Sequence, residues 1–290
     1  MAGRVVFIGA GPGAADLITL RGAARLAEAE VVLFDALTDP ALRSHAPQAR
    51  WIDVGKRGFG CATGQAAIDA LLVRLARRHR VVVRLKGGDP SVFGRLEEEL
   101  AALAAAGIPS EVVPGVTAAL AAAAQTQRPL TRRGRGRSVS LATAMTADAG
   151  LAAGAAHADT EVFYMAGRQL GVLARRLLAA GWAAGTAVQV VSRAGCADAV
   201  ASEHRLDTLA AASVLHAGRP AVVTVGVGAT AVAPGDGAPV VANVDGAPVV
   251  AKMDGAPAVA NVDGAPVVAR ARRPAAEADA SPAGAAPLAA

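Results

Sequence analysis

Up to Ala106 the chain alternates between two hydrophobic periods, and that alternation restricts the fold more than any other feature. Arg4–Gly9 (RVVFIG), Val31–Asp35 (VVLFD), Arg50–Val54 and Val81–Leu85 (VVVRL) read as short strands rich in β-branched residues. Thr19–Glu28, Gln65–Arg78 and Arg95–Ala106 carry apolar residues at three- and four-residue spacings, the period of an amphipathic helix. Gly107 stands where a helix C-terminal glycine belongs. Strand–helix alternation predicts a parallel sheet with helices on both faces and ligands at the carboxyl ends of the strands.

Pro114–Gly115 breaks the pattern, which then restarts. Val116–Ala124, Gly171–Ala180 and Asp207–Leu215 read as helices, the last with Asp207 placed as N-cap. Ser138–Thr143, Glu161–Tyr164, Ala187–Val191 and Ala221–Val225 read as strands. The expectation is two α/β domains, residues 1–114 and 115–234, with a ligand cleft between them. From 235 to 290 the chain is a low-complexity tail. Asp-Gly-Ala-Pro starts at Asp236, Asp245, Asp254 and Asp263, and a proline every nine residues excludes a long helix. The glycine and aspartate placement does not fit a calcium-binding β-roll, so a disordered or loosely extended tail is expected.

Hydrophobic residues make up 53% of the chain, ample for a core, yet no apolar run is free of charges for the length of a membrane span. Met1–Arg4 leads straight into a strand-like segment, which predicts a cytoplasmic protein without a signal peptide. Cys61 and Cys196 give neither a disulfide framework nor metal-ligand spacing, so no metal is expected. Of 29 basic and 24 acidic residues, four and six lie from Gly235 onward, leaving a net +7 on the body before it. Such a body suits an anionic partner, either a polycarboxylate or phosphate metabolite or a nucleic acid. Arg132, Arg133, Arg135 and Arg137 cluster without stacking aromatics, which argues against nucleic acid.

Two strands end in glycine turns. Gly9-Ala10-Gly11-Pro12-Gly13-Ala14 satisfies G-x-G-x-x-A, and Asp35 ends the next strand where a ribose-binding acid would sit, so an NAD(P)-binding oxidoreductase is one reading. Against it, Pro12 removes an amide, and the helix begins only near Thr19, too late to face a pyrophosphate. The second turn, Lys86-Gly87-Gly88-Asp89-Pro90, sets paired glycines and a carboxylate at the sheet's carboxyl edge, where backbone can approach a ligand closely.

In chain order stand GAGPGAADLITL (Gly9–Leu20), LFDAL (Leu33–Leu37), VGKR (Val54–Arg57), VVRLKGGDP (Val82–Pro90), VFGR (Val92–Arg95), AAGIPSEVVPGVTAA (Ala105–Ala119) and PLTRR (Pro129–Arg133). Together they resemble the tetrapyrrole methylase family over about residues 4–232, densely to Arg133 and more thinly beyond. The resemblance implies a homodimer that binds S-adenosylmethionine (SAM) in the cleft between its domains. It implies methylation of uroporphyrinogen III at C2 and C7 to precorrin-2, with a later corrin precursor (precorrin-2 or precorrin-4) as the alternative acceptor. Pro12, Gly87, Gly88, Asp89, Val92, Thr117, Ala118, Met165 and Ala194 match the family's SAM contacts. Asp35 and Lys56 match its proton acceptor and proton donor. A polycarboxylate acceptor calls for cations, and Arg132 and Arg133 are the substrate-binding candidates. The chain departs from the family at Thr131-Arg132-Arg133 (usually T-H-R), Thr143-Ala144-Met145 (usually T-G-H) and Leu96-Glu97 (usually G-G).

Overall fold

The strand residues of the first half alternate between two buried faces, and this decides where its helices go. The computed structural model describes residues 3–55, 64–144, 157–232 and the backbone of 250–252. Strands β1 (Arg4–Gly9), β2 (Val31–Phe34), β3 (Arg50–Asp53), β4 (Val81–Lys86) and β5 (Ser110–Val113) form one sheet in the order β3-β2-β4-β1-β5. Every pair in it is parallel. Val5, Phe7, Leu33 and Val82 pack against Leu72 of α2 (Gln65–Ala76) and Leu103 of α3 (Leu96–Ala105). Val6, Ile8, Val32 and Leu85 face the other way, onto Leu26 of α1 (Leu20–Ala27) and Leu42. A fully buried leucine of this kind contributes about 2 kcal/mol. Thr19 caps α1, its hydroxyl accepting from Gly22 N at 3.0 Å.

The second sheet is mixed. It runs β11-β9-β8-β10-β7-β6, from β6 (Val139–Thr143), β7 (Thr160–Tyr164), β8 (Ala187–Ser192), β9 (Val200–Arg205), β10 (Ala221–Gly226) and β11 (Val250–Lys252). Its central pairs, β7·β10, β10·β8 and β8·β9, are antiparallel. One face packs on Leu173 and Leu177 of α5 (Leu170–Ala179) and on Leu206 and Leu209. The other carries α4 (Ala118–Gln125), whose alanines let it lie close to Val162, Val191 and Val222. Both sheets belong to one compact unit. Among the described residues no helix is long and apolar enough to cross a membrane.

Several elements differ from the sequence expectation. The expected helix at Asp207–Leu215 is a 3₁₀ segment, Leu206–Ala212, followed by the short α6 (Ser213–His216). Asp207 is not its N-cap: Arg205 holds that place, with Thr208 Oγ1 accepting from Arg205 N at 3.2 Å. Strand β9 hides from hydropathy because Ser202 and His204 sit inside it, both buried. Ser202 Oγ bridges His204 Nε2 at 2.7 Å and His216 Nε2 at 2.8 Å, which gives these three buried atoms partners and leaves His216 Nδ1 without one. Val250–Lys252 of the tail pairs with β9 as a short parallel edge strand. The rest of the tail lies outside the described residues.

His216 gives the fold a pH dependence. Burial first, then the charges of His204 and Arg219, lower its pKa from 6.5 to about 4. The ring stays neutral in the folded chain but takes a proton in the unfolded one below its ordinary pKa. Stability is therefore fully present near neutrality and falls as pH drops from about 6.5 toward 4, by on the order of 3 kcal/mol. Urea melts of the wild type and of His216→Gln check this: the wild type should lose more stability over that window, and equal losses would refute it.

Candidate active site

The two glycine turns leave neighbouring strands side by side, since Gly9 of β1 pairs in register with Lys86 of β4. Ala10 N donates to Lys86 O at 2.8 Å. Gly11 and Gly88 exchange backbone bonds, Gly11 N to Gly88 O at 3.3 Å and Gly88 N to Gly11 O at 2.7 Å. Both have positive φ, +77° and +72°. A third turn locks against them: a Cβ on Gly115 would collide with Gly88 O and lie 2.7 Å from Gly9 Cα. Asp89 ties the second turn to the third, its Oδ2 accepting from Gly115 N at 2.9 Å and its Oδ1 from Ser91 N at 2.8 Å.

Above these turns a cavity of about 920 Å³ opens between the two sheets. Pro12, Gly87, Gly88, Asp89, Val92, Thr117 and Ala118 line one side of it, and Met165 and Ala194 line the other. All nine expected SAM contacts thus line one cavity, and Asp35 joins them. Lys56 lies outside the described residues. Arg132 and Arg133 are not in the wall: Arg132 Nη1 donates to Ala231 O at 3.1 Å and its other Nη to Thr230 O, while Arg133 is exposed. The arginine run closes a turn through the Arg132–Gly136 bridge, which aims Arg132 at the chain after β10. A second hollow, about 590 Å³, is an open groove beside α2 and α3 lined by Arg74, Arg77 and several alanines, away from the turns.

The cavity also gathers backbone strain that motif reading does not show. Five non-glycine residues among those described have positive φ, and four of them, Phe93, Arg95, Met165 and Arg193, line this cavity. Each such backbone costs about 1 kcal/mol or more and persists where surrounding structure enforces it, commonly at functional sites. No sequence signal marks this backbone conformation, because these side chains do not favour it. Tyr164 spans the cleft, its hydroxyl 2.7 Å from Thr117 Oγ1, with the Phe93 ring 5.1 Å away. Burial raises the Tyr164 pKa, so the phenol stays protonated.

Asp35 sits at the carboxyl end of β2. Its Oδ2 accepts from Gly87 N at 3.1 Å and its Oδ1 from Leu37 N at 3.2 Å. Two backbone donors thus fix the carboxylate at the cavity wall, with lone pairs left on both oxygens. Among the described residues no group of His, Cys, Asp and Glu could hold a metal ion.

The same geometry weighs against a dinucleotide. The amides of Ala10, Gly11 and Ala14 are bonded to Lys86 O, Gly88 O and Gly195 O, and Pro12 has none. A 3₁₀ turn, Ala15–Leu17, separates the glycines from α1. The turn therefore spends three of its amides within the protein and puts no helix N-terminus before a pyrophosphate.

Comparison with known proteins agrees with this geometry. The profile of the Tetrapyrrole (Corrin/Porphyrin) Methylases matches residues 4–210. The chain belongs to the tetrapyrrole methylases. Among its relatives, a Pseudomonas aeruginosa protein named uroporphyrinogen-III C-methyltransferase is 45% identical over 197 residues, covering 67% of this chain and 80% of that one. A Synechocystis protein of the same name is 39% identical over 232 residues, covering 77% and 88%. A Thermus thermophilus uroporphyrin-III C-methyltransferase, solved with S-adenosyl homocysteine, superposes with a TM-score of 0.65 at 36% identity, covering 78% of this tetrapyrrole methylase and 98% of that chain. The glycine cradle of this methylase suits a bulky ligand: a Cβ on Gly88 would meet nothing closer than 3.9 Å, so the space beyond the turn is open.

Proposed function

We infer that the chain transfers methyl groups from SAM to uroporphyrinogen III, at C2 and C7, giving precorrin-2 for sirohaem and cobalamin synthesis. The observation that carries this reading is the meeting of four separated motifs, at Pro12, Gly87–Val92, Thr117–Ala118 and Met165, around one cavity. The relatives that bear the activity in their names support the acceptor, and the S-adenosyl homocysteine complex of the Thermus enzyme supports the donor.

SAM supplies an electrophilic methyl group. The carbon–sulfur bond breaks with its electron pair going to sulfur, a bond forms to a pyrrole-ring carbon, and the macrocycle then loses a proton. What the chain contributes is mostly placement, which can remove several kcal/mol of the barrier. Gly87, Gly88, Ala118 and Ala194 leave room for the nucleoside and methionyl chain. Asp35 is the base that takes the proton, and Lys56 is the proton donor of the same reading. Arg133, exposed, meets a carboxylate arm that reaches past the cavity, with Arg132 holding its turn. We read the protein as a cytoplasmic homodimer, divided near Pro114 into two methylase domains and needing no nucleic acid.

Calorimetric titration separates this reading from the oxidoreductase. SAM should bind with a Kd in the micromolar range, and NADH at least about 100-fold more weakly, a difference of about 2.7 kcal/mol. Tight NADH binding without SAM binding would reverse the assignment.

A further inference from the structure

The end of the cavity beneath α3 holds charges that methyl transfer does not use. Arg84 and Lys86 leave the same face of β4 and are 5% and 4% exposed. Both meet one carboxylate, Glu99 of α3, which is fully buried: Arg84 Nε lies 3.1 Å from one oxygen and Lys86 Nζ 2.7 Å from the other. Arg84 and Lys86 line the cavity, and Glu99 does not. Gly94 makes room for the lysine stem, since a Cβ there would come within 3.0 Å of Lys86 Cε.

Arg84 alone balances Glu99. Lys86 is a second cation in the same desolvated place, and a buried cation is costly unless it gains a partner of its own. Of its three N–H donors, Glu99 takes one. Asp35, the other carboxylate acting on it, is already held by the Gly87 and Leu37 amides. A purely structural core here would be better served by an apolar chain of the same length.

We propose that Arg84 and Lys86 form a carboxylate-binding subsite at this end of the cavity, which takes one acidic arm of the acceptor and so sets which ring edge faces the methyl donor. The proposal rests on the reading of the acceptor as a polycarboxylate tetrapyrrole. Burial and the neighbouring Arg84 lower the Lys86 pKa, and an incoming carboxylate counters both. The arm shares a cation face with Glu99, a geometry that guanidinium and ammonium donors can both satisfy.

Equilibrium binding of uroporphyrin III, the oxidised and unreactive form of the acceptor, to the full chain with S-adenosyl homocysteine present tests this without turnover. Lys86→Met should weaken porphyrin binding at least about tenfold and leave the S-adenosyl homocysteine Kd within about twofold, whereas Lys86→Arg should keep most of the affinity. Unchanged porphyrin affinity in Lys86→Met would overturn the subsite. So would a joint loss of both ligands with a lowered melting temperature, because that marks a structural lysine. A wild type that binds S-adenosyl homocysteine but no porphyrin would instead refute the acceptor reading, and the subsite with it.

Discussion

Asp35→Asn is expected to lower kcat by about 100- to 1,000-fold, the usual contribution of a positioned general base. The substitution keeps the side chain's shape, and one oxygen can still accept from Gly87 N. The new amide would oppose the N–H of Leu37, which Asp35 Oδ1 now satisfies, so a stability cost of about 1 kcal/mol is expected. S-adenosyl homocysteine affinity should stay within about threefold, because the chemistry is removed and the cradle is not. Stopped-flow single turnovers with SAM and uroporphyrinogen III read the chemical step directly. A near-normal rate would remove Asp35 from the mechanism and leave it a strand-end acid that braces the Gly87 turn.

Gly115→Ala should produce the largest effect on binding. Its Cβ would meet backbone on both sides, Gly88 O and Gly9 Cα, and backbone offers no rotamer through which to yield. The three turns would have to separate, at a cost of about 2–3 kcal/mol. Since Gly88 and Thr117 form the cavity wall on either side of that contact, S-adenosyl homocysteine binding should weaken about 100-fold. Gly107→Ala is the comparison. Gly107, unlike Gly115, has positive φ, +67°, and a Cβ there meets nothing within 4 Å. It should cost about 1 kcal/mol of backbone strain and leave ligand binding unaltered. Equal ligand affinities in the two variants would show that the interlocked glycines do not shape the cavity.

Four of the first sheet's five strands were legible, the central ones as β-branched runs buried on both faces with glycine near their ends, whereas the half-exposed edge strand β5 was not. Val81–Leu85 running into Lys86-Gly87-Gly88-Asp89 already pointed to a ligand edge. The second sheet was less so. Its central pairs are antiparallel, a property of register that hydropathy does not encode. β9 was invisible because Ser202 and His204 look like surface residues until His216 supplies their partner.

The site shows the same division. Paired glycines at a strand end announce a close backbone approach through what they lack, so Gly87 and Gly88 stand out in the sequence, whereas Thr117 and Ala118 come only with the family resemblance. Asp89 proved to carry a further task, tying the second turn to Gly115. Arg132 and Arg133 stand outside the cavity lining, because charge density says nothing of direction, and Arg132 turns both its Nη groups to Thr230 and Ala231. Lys86 was quoted within its motif but passed over as a functional group: only the fold brings Arg84 and Glu99 against it.

The central claim is transfer of two methyl groups to one tetrapyrrole. Incubating the protein anaerobically with SAM and uroporphyrinogen III, then weighing the products by mass spectrometry, tests it most directly. The account predicts a tetrapyrrole heavier by two methyl groups, with S-adenosyl homocysteine formed in a ratio of two per macrocycle. An unshifted tetrapyrrole in the presence of bound SAM would contradict it and turn the assignment to a later corrin precursor.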